Sequence, residues 1–260
     1  MSSGYEPAMR NARDKVCGCF PTGRHYPGIA ERIAKAVIEV KGVAKEFAAD
    51  IDWRTAAIAV IDFETTGLDP AQDRVLEMGV VTFDGGELVE KRNWLINPTI
   101  PVPEESRRIH GIGDEDLANA PRFEEIFPEI VGLLSNRLPV AYNANFDKKF
   151  FLAEFARLGA ALDIEAPPAL RKDVTWVDPL VWVRELQKYE KGKKLTDVCA
   201  RMDIEIGQAH RAADDATATG KVLIALAKDM PRTYGELIRI QTQYEAMQEA
   251  ERISWRARRK

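Results

Sequence analysis

The chain has 260 residues, enough for one ordinary domain with terminal extensions or for two small domains. Apolar residues make up 45% and charged residues 30%, which excludes an intrinsically disordered chain, and no apolar run is long enough to predict a membrane span. The net charge of −4 excludes a global attraction for nucleic acid, although cations bound by carboxylates can reverse the field locally. Three cysteines and an opening without a hydrophobic signal segment predict a cytoplasmic protein.

The N-terminal part of the chain differs in composition from the rest. Residues 1–52 are predicted to form an extension with a polar opening, punctuated by Gly and Pro, and then one amphipathic helix over Gly28–Phe47. The apolar residues that recur at helical spacing are Ile29, Ile33, Val37, Val40, Val43 and Phe47. Cys17, Cys19 and His25 suggest zinc, but their spacing does not match a four-ligand structural site, so we do not predict one.

Three strand patterns follow in quick succession. Residues 57–63 and 74–83 are rich in β-branched apolar side chains, and the second run ends at an Asp-Gly-Gly turn at 84–86. A third pattern over Leu88–Ile96 follows that turn directly. So short a connection predicts an antiparallel meander.

Beyond a Pro-, Gly- and acid-rich loop region at Asn97–Pro121, helix and strand patterns alternate. They comprise helices at Phe123–Leu134 and Phe146–Leu158, strands at 138–142 and 174–178, and helices near Leu180, Leu195 and Ala212. A meander followed by alternation predicts an α/β domain with a mixed sheet and flanking helices over residues 53–230. Residues 231–260 are predicted to form a C-terminal helical extension that ends in a basic cluster.

Two acids end the first predicted strand. Asp62 and Glu64 are two residues apart and share a face, whereas Phe63 points to the other face. Like charges so close raise one another's pKa values unless a cation neutralises them. The alternative is that both acids are solvated at a strand end.

A third acid heads the apolar row of a predicted helix. Steps of four and three place Asp147 on one row with Phe151, Phe155 and Leu158, so its carboxylate is aimed at the sheet. Burial of a carboxylate is costly unless the group is ligated. An N-terminal cap or helix-dipole role is the alternative.

Two adjacent acids begin the last core helix, and periodicity separates them. The residues on the helical row of Asp215 are small or apolar, namely Ala218, Val222 and Leu226. Those on the row of Asp214 are polar or charged, namely Thr217, Lys221 and Lys228. Asp215 is therefore predicted to be the buried acid and Asp214 a solvated one. His210 is predicted to stand in the preceding loop and to face the same cleft.

These acids together indicate one kind of chemistry. Asp62, Glu64, Asp147 and Asp215 offer oxygen ligands that suit two hard cations, Mg²⁺ or Mn²⁺. Two such ions can stabilise the attacking and leaving oxygens of a phosphoryl displacement, and His210 can serve as general base. The prediction is phosphodiester hydrolysis.

The motifs resemble those of the DnaQ-like DEDDh exonucleases, a family that includes the proofreading epsilon subunit of bacterial DNA polymerase III. The matching stretches are VIDFETTG (60–67), the region 97–117, AYNANFD (141–147) and AHRAADDA (209–216). The resemblance covers roughly residues 56–227 and implies a ribonuclease H-like fold with a mixed five-stranded sheet.

The resemblance also implies roles for individual residues. Asp62 bridges both metals, Glu64, Asp147 and Asp215 complete the ligand set, and His210 is the base. The implied substrate contacts are Thr65 and Leu68 at the 3′-terminal nucleotide, His110 against it, and Asn143 on the scissile strand. The alternatives are a turn residue for Thr65, loop packing for Leu68 and a structural role for His110. Tyr142 stands where many relatives have histidine.

The leading hypothesis is a metal-dependent 3′-to-5′ exonuclease that releases nucleoside monophosphates from single-stranded or frayed DNA ends, with a proofreading or repair role. An exoribonuclease of the ribonuclease T or oligoribonuclease type is the alternative within the enzyme class. A module that docks on a DNA polymerase, or on another replication or repair protein, is the alternative outside it. No membrane partner is expected. Trp176, Trp182 and Cys199 are predicted to pack in the core rather than to contact substrate.

Overall fold

The computed structural model describes residues 41–159 and 166–258. The strands are β1 (Ala57–Thr65), β2 (Val75–Asp84), β3 (Glu87–Leu95) and β4 (Leu138–Val140). The helices are α1 (Glu104–His110), α2 (Asp114–Leu117), α3 (Phe123–Leu134), α4 (Ala144–Arg157), α5 (Pro179–Leu186), α6 (Leu195–Arg201), α7 (Ala212–Leu226) and α8 (Tyr234–Ala257). Single 3₁₀ turns occur at Trp53–Thr55, Pro168–Leu170 and Ala227–Asp229.

The sheet is mixed, as predicted, in the order β3-β2-β1-β4. The first three strands form the antiparallel meander, and β4 lies parallel to β1. The predicted fifth strand at 174–178 is wrong as a full strand, because it contributes only an isolated parallel bridge between Val140 and Val177. The rest of this segment does not pair with β4. Thr175 N donates instead to the Gly42 carbonyl, and Asp178 caps helix α5.

The two faces of β1 pack against different helices. Ile58 and Val60 belong to a core cluster with α7 and the first turns of α8. Ala59, Ile61 and Phe63 belong to a second cluster with α3 and α4. Because side chains alternate along a strand, the row of Ile58 and Val60 continues into the two acids at the end of β1.

The predicted helix Gly28–Phe47 does not extend to its predicted end. Residues 28–40 lie outside the described part of the chain, as do Cys17, Cys19 and His25, whereas residues 41–47 form turns. Gly42 has φ of 89°, a left-handed conformation that a continuous helix cannot contain. Val43 and Phe47 pack against the core from these turns.

The C-terminal helix α8 is partly integrated into the core. Thr233 caps its first turn, and Tyr234, Leu237, Ile238 and Gln241 are fully buried. The turns from residue 249 onward are exposed, including Arg256 and Arg258 of the basic cluster. The boundaries at residues 52 and 230 stay predictions.

The core prediction for three further residues is confirmed, since Trp176, Trp182 and Cys199 are all buried. Trp176 donates its indole N–H to the Ala169 carbonyl, and Trp182 donates to Gln241. Among the described residues, no helix is long and apolar enough to span a membrane.

Candidate active site

Asp62 and Glu64 lie on the face of the sheet that α7 covers. Both are partly exposed, and their cross-strand neighbours on β2 are Gly79 and Glu77. The register shifts between Glu64 and Thr65, and β1 ends at Thr65, one residue after the second acid. The predicted common face of the two acids therefore points into a cleft at the end of β1.

Asp147 reaches the same strand from α4. Its side chain is only 3% exposed, and Phe63 N donates to its Oδ1 across 3.2 Å. Phe63 lies between the two strand acids, so this bond places the third carboxylate beside them. The inward orientation predicted from the apolar row is what the structure contains, and Phe151 one turn further on is buried.

The start of α4 is capped by a residue from elsewhere in the chain. Asn143 precedes the helix with φ of 68° and contributes no side-chain cap. The buried carboxylate of Asp178 instead accepts from Asn143 N and Ala144 N, both at 3.0 Å, and from Leu180 N at 2.9 Å. Asp178 thus joins the starts of α4 and α5.

His210 and Asp215 stand on either side of the beginning of α7. His210 is exposed in the preceding loop, where it was predicted, and has φ of 62°. Its backbone N donates to Asp215 Oδ2 across 3.1 Å. A metal-ligating atom of each of Glu64, His210 and Asp215 lies within 4.8 Å of the other two. The cleft therefore gathers groups from β1, α4 and α7.

Asp214 points away from this group and is not simply solvated, which corrects the prediction. It forms an ion pair with Lys91 of β3, and its Oδ2 accepts from Gln208 N at 2.9 Å. The Lys91 hydrogen bond is the main reason that its pKa is lowered, whereas burial raises the pKa of Asp215. Asp215 is itself only partly buried.

The pKa values of all four acids are raised, and neighbouring carboxylates contribute to each rise. Burial is the largest cause for each, and it holds the pKa values of Asp62 and Asp147 well above their ordinary range. The pKa of Glu64 rises from 4.5 to about 8, through burial first and then through Asp215 and Glu77, with Arg211 opposing. Without a cation, this site favours protonated acids.

The donor set fits divalent cations of the hard, oxygen-seeking class. Among the described residues, Asp62, Glu64, Asp147 and Asp215 form no ion pair with Lys or Arg. Clustered carboxylates without such partners are compensated by bound cations, and carboxylate oxygens suit Mg²⁺ and Mn²⁺. These residues can therefore hold the predicted metals.

Leu68 and Thr65 differ in what they can offer a substrate. Leu68 is 83% exposed in the loop after β1, so its side chain does not serve to pack that loop. Thr65 is buried, and its hydroxyl donates to the Gly67 carbonyl at 2.6 Å, which makes it a turn residue. Of these two residues, Leu68 is the one whose apolar side chain faces solvent.

His110 has an unsatisfied donor. The residue is 5% exposed, and its Nδ1 accepts from Ile112 N at 3.1 Å, so the proton belongs on Nε2. Nε2 is buried and has no partner within the described part of the protein. Arg211, beside His210, donates to the His110 carbonyl at 3.3 Å and links α1 to the start of α7. A buried N–H without an acceptor is costly, so a ligand atom here would be stabilised.

Sequence reasoning missed Glu77 and Asn93, which contact the start of α7. Glu77 is 1% exposed near the start of the apolar strand β2 and accepts from Ala212 N at 3.2 Å. Asn93 on β3 donates to Glu77 at 2.9 Å and accepts from Ala213 N at 3.2 Å. A single acid within an otherwise apolar strand pattern was the available signal for Glu77. Asn93 had none.

The mixed sheet, the helices on both faces and the acid-lined cleft define a nuclease of ribonuclease H-like fold. The chain belongs to the exonuclease family, whose RNase_T model matches residues 59–223.

The curated relatives include PolC-type DNA polymerase III proteins. Those of Thermotoga petrophila and Bacillus cereus are 34% and 33% identical to this chain over 199 and 171 residues, or 76% and 66% of it. The matched segments are only 14% and 11% of those much longer proteins.

Solved exonuclease structures share the fold. Exonuclease X in complex with 5′-overhanging duplex DNA aligns with a TM-score of 0.55 and 22% identity, over 71% of this chain and 99% of that one. A 3′-exonuclease solved for 3′-end-specific recognition of a histone mRNA stem-loop aligns with a TM-score of 0.54 and 16% identity, over 69% and 84%. At these identities the likeness concerns the fold.

Proposed function

We propose that the chain is a metal-dependent 3′-to-5′ exonuclease that releases nucleoside monophosphates from single-stranded or frayed DNA ends. The observation that carries the proposal is the meeting of Glu64, Asp215 and His210 within 4.8 Å, beside Asp62 and Asp147. Acids from one strand and two helices converge there, and in the part of the chain that the structure describes none of the four forms an ion pair with Lys or Arg. That arrangement suits phosphodiester hydrolysis assisted by cations.

Four residues would hold two Mg²⁺ or Mn²⁺ ions. Asp62 is assigned to both ions, and Glu64, Asp147 and Asp215 complete the set. When bound, the ions supply charge stabilisation at the phosphate and lower the pKa of attacking water. The protein keeps these carboxylates in place through backbone bonds, from Phe63 to Asp147 and from His210 to Asp215.

His210 is assigned as the general base. Histidine is the side chain best suited to accept a proton near neutral pH. The exposed imidazole stands in a loop whose backbone is tied to Asp215, so it can reach a water molecule near the acids without leaving the cleft. Its role is to take the proton from the attacking water.

The substrate end is assigned to residues around the loop after β1. Exposed Leu68 offers an apolar surface to the terminal base, and the unsatisfied Nε2–H of His110 offers a hydrogen bond to the terminal nucleotide. Asn143 is exposed at the start of α4 and is assigned to the scissile strand. Thr65 is assigned to the same pocket, and its hydroxyl, which donates to the Gly67 carbonyl, keeps lone pairs that can accept a hydrogen bond.

DNA is favoured over RNA because the curated relatives are named DNA polymerases. A proofreading role beside a polymerase active site follows from the same likeness, as does docking on a polymerase or on another replication or repair protein. An exoribonuclease is the second candidate, supported by the likeness to the 3′-exonuclease that recognises a histone mRNA stem-loop.

The test is digestion of matched DNA and RNA oligonucleotides, labelled at the 3′ or the 5′ end, with Mg²⁺ or Mn²⁺. Removal from the 3′ end predicts immediate mononucleotide release from 3′-labelled DNA and a descending ladder from 5′-labelled DNA. EDTA should stop both reactions. Release of no mononucleotide from any strand by a pure preparation would refute the enzyme, and faster digestion of RNA would favour the second candidate.

A further inference from the structure

The helix that carries Asp215 lacks a cap of its own. The first turn of any helix leaves backbone N–H groups without partners inside the helix. Arg211 occupies the N-cap position of α7 and provides no side-chain acceptor. The amides of Ala212 and Ala213 therefore depend on groups from other elements.

Two residues on neighbouring strands supply those acceptors. Glu77 Oε2 accepts from Ala212 N, and Asn93 Oδ1 accepts from Ala213 N, both at 3.2 Å. Asn93 also donates its Nδ2 to Glu77 Oε1 at 2.9 Å, so the two caps hold each other. We call Glu77 and Asn93 the α7 seat.

The sheet beneath the seat is shaped for close approach of the helix. A Cβ atom at Gly79 would lie 2.2 Å from the carbonyl carbon of Ala212, so the backbone of α7 rests directly on β2. Gly79 is the cross-strand neighbour of Asp62, and Glu77 is that of Glu64. Two of the residues that contact α7, Gly79 and Glu77, therefore pair with the strand acids, and Asn93 pairs with Gly79 from β3.

We propose that Glu77 and Asn93 are positioning residues that hold the start of α7, and with it His210 and Asp215, in register with Asp62 and Glu64. This inference rests on the proposed exonuclease function. His210 N is bonded to Asp215, and Asp215 lies in the first turn that the seat caps, so a shift of this turn moves both groups. Misplacement of reacting groups by about 1 Å can cost about a hundredfold in rate.

Asn93 gives the sharper test of the seat, because it is exposed and can be changed without opening the core. Asn93→Ala removes the acceptor for Ala213 N and the donor to Glu77. The matched control is Arg92→Ala, which removes an exposed polar side chain from the opposite face of the same strand. Glu77→Gln is the second variant, since it keeps an acceptor for Ala212 N and changes the bond to Asn93.

The measurements are kcat and KM on a 5′-labelled oligonucleotide, the Mn²⁺ concentration for half-maximal rate, the melting temperature and amide exchange at Ala212 and Ala213. Asn93→Ala should lower kcat about tenfold, as loss of residues that orient metal ligands does, with KM nearly unchanged. It should also raise the half-saturating Mn²⁺ concentration and speed exchange at the two amides. Arg92→Ala should match the wild type in all of these.

A wild-type kcat and Mn²⁺ requirement in Asn93→Ala would overturn the proposal. An equal loss in Arg92→Ala would do the same, because it would show a general effect of changing β3. Should Glu77→Gln fail to fold, Asn93→Ala still decides the outcome. If the wild-type protein cleaves nothing, the proposed function fails, and amide exchange alone reports whether the seat holds the first turn.

Discussion

The backbone N of His210 donates a hydrogen bond to Oδ2 of Asp215 across 3.1 Å. The proposed base and a proposed metal ligand are thus joined through the main chain. The left-handed conformation of His210, with φ of 62°, turns the chain from the loop into α7 at this point. His210 and Asp215 therefore act as one unit whose position is fixed by the start of the helix.

The two adjacent acids of α7 should behave differently when neutralised. Asp215→Asn is expected to lower kcat by about a hundredfold or more, because cation-assisted stabilisation contributes several kcal/mol. Asp214→Asn is expected to stay within about fivefold, since a surface ion pair such as that with Lys91 contributes about 0–1 kcal/mol. Steady-state rates on a single-stranded oligonucleotide measure both, and the reverse order would contradict the assignment.

His210→Ala should separate proton transfer from metal binding. Turnover is expected to fall by about 10²–10⁴-fold, the usual contribution of a positioned general base. Mn²⁺ affinity, followed by titration calorimetry, should change little because four carboxylates remain. A large loss of Mn²⁺ affinity would instead identify His210 as a ligand, which its distance to Glu64 and Asp215 permits.

The metal-free protein should lose stability as pH rises. The pKa of Glu64 is raised from 4.5 to about 8 in the folded state, so between these values the unfolded chain loses a proton that the folded one keeps. The raised pKa values of Asp62, Asp147 and Asp215 act in the same direction. Urea unfolding in EDTA should therefore give a free energy of unfolding that falls between about pH 5 and about pH 8.

Mn²⁺ should offset that loss, and more strongly at the higher pH, because the cation binds the ionised carboxylates. Glu64→Gln should flatten the pH dependence in EDTA, since it removes one titrating group. A free energy of unfolding that rises with pH in EDTA would show that these carboxylates are ionised without metal.

Leu68 should affect substrate affinity and not folding. Leu68→Ala is expected to raise KM for an oligonucleotide severalfold while the melting temperature is unchanged, because the side chain is exposed. The matched control is Leu88→Ala, which removes another exposed leucine, at the start of β3. Equal KM values for the two variants would remove Leu68 from the substrate site.

Gln241 should connect α8 to the candidate active site. Its fully buried amide accepts from Asp178 N at 2.9 Å and donates to the Trp176 carbonyl at 2.8 Å. Gln241→Leu leaves these groups unpaired and should cost about 1–3 kcal/mol for each. The exposed Gln243 supplies the control, and Gln243→Leu should leave the denaturation midpoint nearly unchanged. Similar midpoints would mean that α8 is a loosely attached extension.

Several features followed from local pattern. Alternation at the end of the first predicted strand placed Asp62 and Glu64 on one face, and the 3.6-residue period turned Asp147 inward, because these periods are fixed by strand and helix geometry. The Asp-Gly-Gly turn predicted the meander for the same local reason. Local pattern was wrong for the helix that was predicted to reach Phe47, because Gly42 has a left-handed conformation that a continuous helix cannot contain.

Other features depended on contacts between distant parts of the chain. The segment 174–178 forms only one bridge because parts of its backbone bond to Gly42 and to α5. Asp214 forms an ion pair with Lys91, which lies on β3 and is distant in sequence. Asp178 caps α4, and the Glu77–Asn93 pair caps α7. These residues are distant in sequence from the helices that they cap, so strand and helix periods could not predict the contacts. The sequence pattern predicted the inward orientation of the four proposed metal ligands but not the burial of Glu77. How these ligands are held together depended on the tertiary fold, because the acceptor for a helix-end amide is whichever group the fold brings close to it.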